Sequence, residues 1–406
     1  MRGFGFFVDE ISQQHPEPVH TFMSNETWHR VYSNEPIHRL AESPRAIHHH
    51  LPDPTVRDPQ LAWIRGYSLV PAFVHDYQQK TQVPVGVIPC AHGGVKLSAW
   101  STDCTDGLYA TMMDKIRLVG GHVKGMLWYQ GESDASDGCD KGQTSTYQQH
   151  LALLFDGLLT LHPDLVIVFA QIGRTITTSK DAHNQQALDV AWSRIRQAQL
   201  NIYLDAKQPP SVLYGRVGFV PTITCGMDDF IHLSAQGLLS VGRAMAAVAS
   251  ALVAKKIPDD TRSTHSRTSQ DATVLHSDDL RMVHRRFAPG SSYWHHIVQY
   301  RFDSPLSTTD HSQARGFSTF HMEDAADYGH GHYTPVDMIY AAHVRGCHVE
   351  LYLTEKAYRM LAADPQSYLL SYGHGQNPDC NLISRDSTIP VAPMFPRRLP
   401  VTNVPE

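Results

Sequence analysis

Asp229-Phe-Ile-His232 sets a carboxylate three residues ahead of an imidazole. That spacing fits a tight turn from a strand into a helix, in which the acid holds one ring nitrogen and leaves the other to act as a base. The run 234–254 behind it reads as a helix, with Leu238, Leu239, Val241, Met245, Val248, Leu252 and Val253 on a broad apolar face and Ser234 placed to cap it. The same spacing recurs in Asp327-Tyr-Gly-His330, inside Gly- and His-rich sequence with no helix behind it, and there it reads as loop. The pattern alone is weak. Its weight comes from its surroundings.

Gln130-Gly-Glu-Ser-Asp134 packs an amide, a glycine and two carboxylates into five residues, more than a polar turn needs. The Gln130 amide is a candidate donor to a developing oxyanion, and Gly131 lets backbone approach a substrate. Glu132 and Asp134 are available as acid/base groups, but fit better as supports for the turn that carries Gln130. Gly93-Gly94 supplies backbone N–H groups without Cβ atoms, suited to an oxyanion hole, although a strand-to-loop turn needs the same residues. Trp100 and Trp128 read as core or pocket wall. A base, its acid and oxyanion donors ask for a nucleophile, and Gly-x-Ser-x-Gly is absent. Ser24 and Ser33 precede asparagines, but no apolar strand leads into either.

The elements that must position these residues alternate in type. A helix is expected over 60–80, with Pro71 as a kink or start, and part of one over 113–119. Further helices are expected over 146–161 and 185–200. Short all-apolar strands are expected over 83–91, 125–129 and 165–170, and one near 221–224. Residues 1–58 read as loop with short helical pieces. Buried strands alternating with amphipathic helices imply a parallel sheet covered on both faces, with ligands at the carboxyl ends of the strands. The clusters at 92–98, 130–134 and 229–232 all fall at those ends. Residues 257–273 form a Ser/Thr/Asp/Arg stretch without apolar period and read as a linker between a domain over 1–256 and a second over 274–406. The second is mostly β, sandwich-like, with alternating strands over 294–302 and 348–353 and a helix over 355–363.

The 406 residues are 42% hydrophobic and 18% charged, as in a globular protein with a real core. A net charge of −6 without Lys/Arg clusters gives no nucleic-acid footprint. No apolar run approaches the ~18 residues that span a bilayer, so no membrane partner is expected. The start, Met1 to Asp9, holds too short an apolar segment for a signal peptide. The six cysteines form no C-x-x-C pair. His48-His49-His50 and His330-Gly-His332 lack a carboxylate or cysteine at ligand spacing and read as solvated surface, so no metal or other cofactor is expected.

Three blocks in order carry a resemblance: Val83-Pro-Val-Gly-Val-Ile-Pro-Cys-Ala-His-Gly-Gly-Val-Lys-Leu-Ser-Ala-Trp100, Leu127-Trp-Tyr-Gln-Gly-Glu-Ser-Asp134 and Asp229-Phe-Ile-His-Leu-Ser234. Over roughly 1–255 the chain resembles the carbohydrate acetylesterases related to sialate O-acetylesterase, in the SGNH hydrolase superfamily. Ser371-Tyr-Gly-His-Gly-Gln-Asn-Pro-Asp-Cys-Asn-Leu382 with Ile389-Pro-Val-Ala-Pro-Met-Phe395 is similar to that family's closing segment. The resemblance implies a flavodoxin-like three-layer domain and a metal-free Ser-His-Asp esterase acting on an O-acetylated carbohydrate. It makes His232 the base, Asp229 its orienter, and Gly94, ahead of Gly93, together with Gln130 the oxyanion donors. Val95 stands where the family usually has Thr.

The family's nucleophile lies in Gly-Gln-Ser-Asn-Met after the first strand. Met1-Arg-Gly-Phe-Gly is similar to the end of that motif, which places the serine and the strand ahead of Met1. Losing about five buried apolar residues at ~1.5–3 kcal/mol each forfeits on the order of 10 kcal/mol, as much as the ~5–15 kcal/mol net stability of a domain. The expectation is therefore a misassigned start and little activity from the chain as it stands. The competing expectation is a non-catalytic carbohydrate-binding relative. A His-rich metal hydrolase is the weakest reading.

Overall fold

The apolar run after Asp164 forms the strand Val166–Gln171, buried at every position. Its alternate side chains meet two different cores. Val166, Val168 and Ala170 join one cluster, while Ile167 and Phe169 join another. A strand with a helical layer on each face needs apolar residues at both parities, which is why this run shows no alternation.

The computed structural model describes residues 19–22, 26–31, 68–105, 107–136, 141–176, 182–255, 280–322 and 333–400. In chain order the first part runs β1 (Val19–Phe22), β2 (Trp28–Val31), α1 (Val70–Thr81), β3 (Val85–Val87), a 3-10 turn (Leu97–Trp100), α2 (Leu108–Leu118), β4 (Gly125–Trp128), α3 (Glu132–Ser136), α4 (Lys141–Leu161), β5 (Val166–Gln171), α5 (Ala182–Asp205), β6 (Val217–Pro221) and α6 (Ala235–Lys255). Strands β4, β5 and β6 form a parallel sheet in that order, with Trp128 beside Phe169 and Phe169 beside Phe219. Beneath it, Trp100, Trp128, Phe155, Phe169 and Phe219 make successive edge contacts with centroids 5.1–6.3 Å apart. Each such pair adds about 0.5–1.5 kcal/mol beyond its burial.

The other face carries α6 and α1. Leu238, Val241, Met245 and Val248 of α6 pack on Val166, Val168 and Val220. The helices cross closely at Gly242, where a Cβ would lie 2.2 Å from the Leu69 carbonyl oxygen. By length and composition the stretch Ala235–Ala254 could cross a membrane, an exception to the expectation of no such run, yet here it is a core helix.

The expected single parallel sheet is divided. Strand β1 pairs parallel with β3 and antiparallel with β2, forming a separate three-stranded sheet. Among the described residues the outer edge of β4 is unpaired, and Gly125, Met126 and Leu127 keep partial exposure. The loop expected over 1–58 thus contains two strands. Four residues carry too little periodicity to reveal β1, whose pairing with Val85 and Val87 is a tertiary contact. The strand expected over 83–91 is three residues long. The strand near 221–224 begins earlier, at Val217, because Gly218 interrupts its apolar run in sequence and α6 fills the space above that glycine. Helix α1 starts with Pro71 in its first turn, the position where a missing N–H does least harm.

The second part comprises β7 (Leu280–Arg286), β8 (Trp294–Arg301), β9 (Leu306–Thr308), β10 (Phe317–His321), β11 (Thr334–Pro335), β12 (Ile339–Arg345), β13 (His348–Leu353), α7 (Glu355–Ala363), β14 (Tyr368–Tyr372), β15 (Leu382–Ser384) and β16 (Met394–Arg398). Its two four-stranded sheets run β12-β13-β8-β7 and β11-β10-β14-β16, with antiparallel pairing throughout. One hydrophobic cluster runs from α4 and α5 into Tyr300, Tyr372 and Leu382 of this β-rich part. The segment 257–273, read as a linker, lies outside the described residues, as do Ser24, Ser33, His48–His50 and the Asp327/His330 pair.

Candidate active site

Asp229 and His232 meet as their spacing requires. The Asp229 Oδ2 lies 2.7 Å from His232 Nδ1, while Oδ1 accepts from the backbone N–H of Ile231 at 2.8 Å and of His232 at 2.7 Å. Strand-to-helix geometry enforces this. Met227 bridges to Leu233, Ser234 N–H donates to the Gly226 carbonyl, and the Ser234 hydroxyl accepts from Gly237 N–H as α6 begins. Burial pushes the Asp229 carboxyl up, but the N–H groups of His232 and Ile231 and the His232 ring outweigh it and hold the acid below its ordinary range. An ionised Asp229 keeps the proton on Nδ1 and makes Nε2 the basic ring atom.

The second block lies against the first. Gln130 donates through Nε2 to Asp134 Oδ2 at 2.5 Å and to the Val95 carbonyl at 3.3 Å, and Asp134 also accepts from Leu97 N–H at 3.0 Å. These bonds tie the Gly93-Gly94 turn to the Gln130 loop. They also engage both hydrogens of the Gln130 amide, leaving none aimed at an oxyanion. Gly93 and Gly94 are exposed, and Gly94 takes the left-handed conformation (φ 73°). Gly131 is confined instead. At φ 141° it leaves no room for a side chain, since a Cβ would stand 2.9 Å from Ile172 Cγ2 and 3.1 Å from Gln199 Nε2.

Glu132 opens α3 next to this turn, with its Oε1 buried and lacking a hydrogen-bond partner. Burial raises its carboxyl above the ordinary 4.5, opposed by its own backbone N–H and by His232 nearby. The field of His232 at Glu132 places the second and third blocks within electrostatic reach of each other. Because the folded state disfavours the ionised acid, stability falls as pH rises through the window that starts at the ordinary value. Glu132→Gln is therefore expected to melt higher than the native chain at pH 7, with the two converging toward pH 4. Thermal unfolding across that range checks it, and a lower midpoint at pH 7 would contradict the assignment. Asp134 is also raised by burial, against the bonds from Gln130 and Leu97.

Sequence reading missed the supports. Gln199 of α5 donates to the Gln130 carbonyl at 2.9 Å and accepts from Ile172 N–H at 2.9 Å, and Tyr147 of α4 donates to the same Gln130 carbonyl at 3.2 Å. Arg196, one turn earlier, is 1% exposed and donates to the carbonyls of Ile172, Gly173, Gly373, Gly375 and Gln376. Burial lowers it to about 10, so it stays cationic at neutral pH. A run of polar residues at helical spacing, Asp189, Ser193, Arg196 and Gln199, among apolar neighbours was the available signal. Three of the five partners of Arg196, the carbonyls of Gly373, Gly375 and Gln376, lie more than 170 residues away and carry no mark in sequence.

The parallel sheet β4-β5-β6, covered by helices on both faces, thus carries an acid-held imidazole in the loop beyond the carboxyl end of β6. The family model for a carbohydrate esterase, sialic acid-specific acetylesterase, matches residues 1–251, and the chain belongs to that family. It is similar to a probable carbohydrate esterase of Arabidopsis thaliana, 41% identical over 56 residues that make up 13% of this chain and 21% of that protein's length. Among solved structures it is similar to a two-domain esterase active on acetylated mannans, at 10% identity, covering 70% of this chain and 80% of the other with a TM-score of 0.26.

Proposed function

We propose that this chain forms the body of a serine-type carbohydrate O-acetylesterase. The observation that carries this reading is the 2.7 Å contact between Asp229 Oδ2 and His232 Nδ1, with Asp229 locked by two backbone N–H groups. His232 Nε2 takes the proton of a serine hydroxyl as it attacks the acetyl carbonyl, then returns it to the departing sugar oxygen. Water, deprotonated by the same nitrogen, releases acetate from the acyl-enzyme. The backbone N–H groups of the Gly93-Gly94 turn face the oxyanion. Gln130, with its amide engaged, holds that turn in place through Val95 and, through Asp134, Leu97. In this reading the nucleophilic serine is that of the family's Gly-Gln-Ser-Asn motif, and the edge of β4 that is unpaired among the described residues has room for the strand that carries it.

Hydrolysis of p-nitrophenyl acetate tests the reading. A chain extended upstream through an apolar strand and Gly-Gln-Ser-Asn is expected to turn over, and the 406-residue chain to be slower by on the order of 10⁶, as for loss of a triad nucleophile. Equal rates would remove the upstream serine from the mechanism. One observation favours a second reading, a sugar-binding relative without turnover. No Gln130 hydrogen is left for an oxyanion. That reading expects glycan binding and no hydrolysis even from the extended chain. The catalytic domain over 1–256 and the sandwich-like domain over 274–406 act together in this proposal, since α5 is bonded to both.

A further inference from the structure

A cavity of about 280 Å³ opens where the loop after β5 and the start of α5 meet the segment 374–377. Its volume sits at the small end of the ~300–1,000 Å³ usual for ligand sites, room for about one sugar ring. Gln376 lines it, is 2% exposed, and has no hydrogen-bond partner for Nε2. A buried amide left unmatched costs about 1–3 kcal/mol, so its donor is poised for a ligand acceptor.

The other walls complete a donor and acceptor set. Asp189 Oδ1 accepts from Gln376 N–H at 2.8 Å and from Gln185 Nε2 at 3.4 Å, which leaves Oδ2 to accept from a ligand hydroxyl. Ser193 gives its hydroxyl proton to the Asp189 carbonyl and accepts from Gly375 N–H at 2.9 Å. Its 3.3 Å contact with His374 Nδ1 must then be donated by the imidazole, so His374 presents Nε2 as an acceptor. Burial lowers His374 to about 4, against the pull of Asp189, so the ring is neutral at physiological pH. Asn377 adds an exposed amide. Among the lining residues Asp189 is the sole charged group at neutral pH. Neither nearby guanidinium lines the cavity: Arg196 donates to main-chain carbonyls, and Arg174 donates to the Cys225 carbonyl and to the amide oxygen of the lining Asn377, with its Nε buried and unmatched. The cavity also adjoins the catalytic loop, because Thr175 Oγ1 and Ile176 N–H both donate to the Phe230 carbonyl, at 2.8 and 2.7 Å.

We infer that this cavity is a glycan subsite that takes an uncharged, hydroxyl-rich pyranose of the substrate and rejects a sugar bearing a carboxylate. The inference rests on the proposed carbohydrate-esterase reading for its connection to catalysis, but not for the binding itself. Hydroxyls match the Gln376 donor and the Asp189 and His374 acceptors. A sugar carboxylate meets the Asp189 carboxylate at the wall, whereas the two guanidiniums nearby, Arg174 and Arg196, line no part of the cavity and hold their terminal N–H groups on main-chain and amide oxygens.

Titration calorimetry and saturation-transfer NMR on the 406-residue chain test it, with unacetylated mannotriose, xylotriose and lactose as neutral probes and sialyllactose and trigalacturonate as acidic ones. At least one neutral probe is expected to bind about tenfold more tightly than either acidic one. Gln376→Leu and Asp189→Asn are each expected to weaken that probe about five- to tenfold, the loss of one hydrogen bond to a buried group. Asp189→Asn should also narrow the gap to the acidic probes. If a variant unfolds, Asn377→Ala at the exposed rim replaces it. No neutral binding by the native chain, equal binding of acidic probes, or unchanged affinity in every folded variant would overturn the subsite. Sugar binding without ester hydrolysis by the extended chain would sink the esterase reading and leave the subsite standing. Hydrolysis without sugar binding would do the reverse.

Discussion

Arg196→Met unfolds the junction between α5 and the segment 373–376, with an expected loss on the order of 4 kcal/mol. The guanidinium is 1% exposed and spends its donors on five main-chain carbonyls, two after β5 and three in the segment Gly373–Gln376. Methionine fills the volume of the stem but leaves those acceptors unmatched, at ~1–3 kcal/mol for each that water does not reach. Part of that loss is recovered, since the cation no longer has to be desolvated. Arg196→Lys is expected to rescue little, because a single ammonium cannot reach carbonyls spread around a planar fork. Urea unfolding followed by fluorescence measures both. Stability within about 1 kcal/mol of the native chain would show that the carbonyls find other partners.

The second large effect is on rate. On the proposed mechanism, in a chain supplied with the Gly-Gln-Ser-Asn segment, His232→Ala is expected to lower kcat by on the order of 10⁶ and Asp229→Asn by about 10⁴, with KM nearly unchanged. Neither variant should melt far from the native chain, since the two side chains keep 33% and 27% of their surface exposed. A small effect of His232→Ala on kcat would reassign the base. Asp229 also fixes a pH limit. Hydrogen bonds hold its carboxyl below the ordinary range against the push of burial, so its stabilisation is complete above the unfolded value near pH 4. That stabilisation is lost only as pH falls further, through the folded value. A fall in kcat/KM above that pH does not come from Asp229.

What the sequence reveals tracks how local the cause is. The Asp229/His232 turn and the Ser234 cap lie within residues 229–237, the helix follows directly, and their residue types announce them. Strand β5 is legible because burial on both faces demands a continuous apolar run. Strand β1 is not, since what makes it a strand is Val85 and Val87, more than 60 residues on. Gln130 is the instructive case. Its position among a glycine and two carboxylates marks it as important, but an amide is equally able to face a substrate or a main-chain carbonyl. Composition cannot choose between them, and the structure has it donating to Val95 and Asp134. Gln376, Asp189 and His374 come from segments some 185 residues apart, and no spacing rule connects them.

Two hydrogen bonds converge on the carbonyl of Phe230, from Thr175 Oγ1 and Ile176 N–H. The peptide unit they grip joins Phe230 to Ile231, and its own N–H donates to Asp229 Oδ1 at 2.8 Å. Whatever seats itself against Thr175 therefore presses, one link removed, on the acid that aims the imidazole. If the proposed esterase and its sugar subsite both hold, reading the sugar chain and cutting its decoration become one mechanical act, and a polymer that fits poorly is felt as a slower proton transfer rather than as a missed encounter.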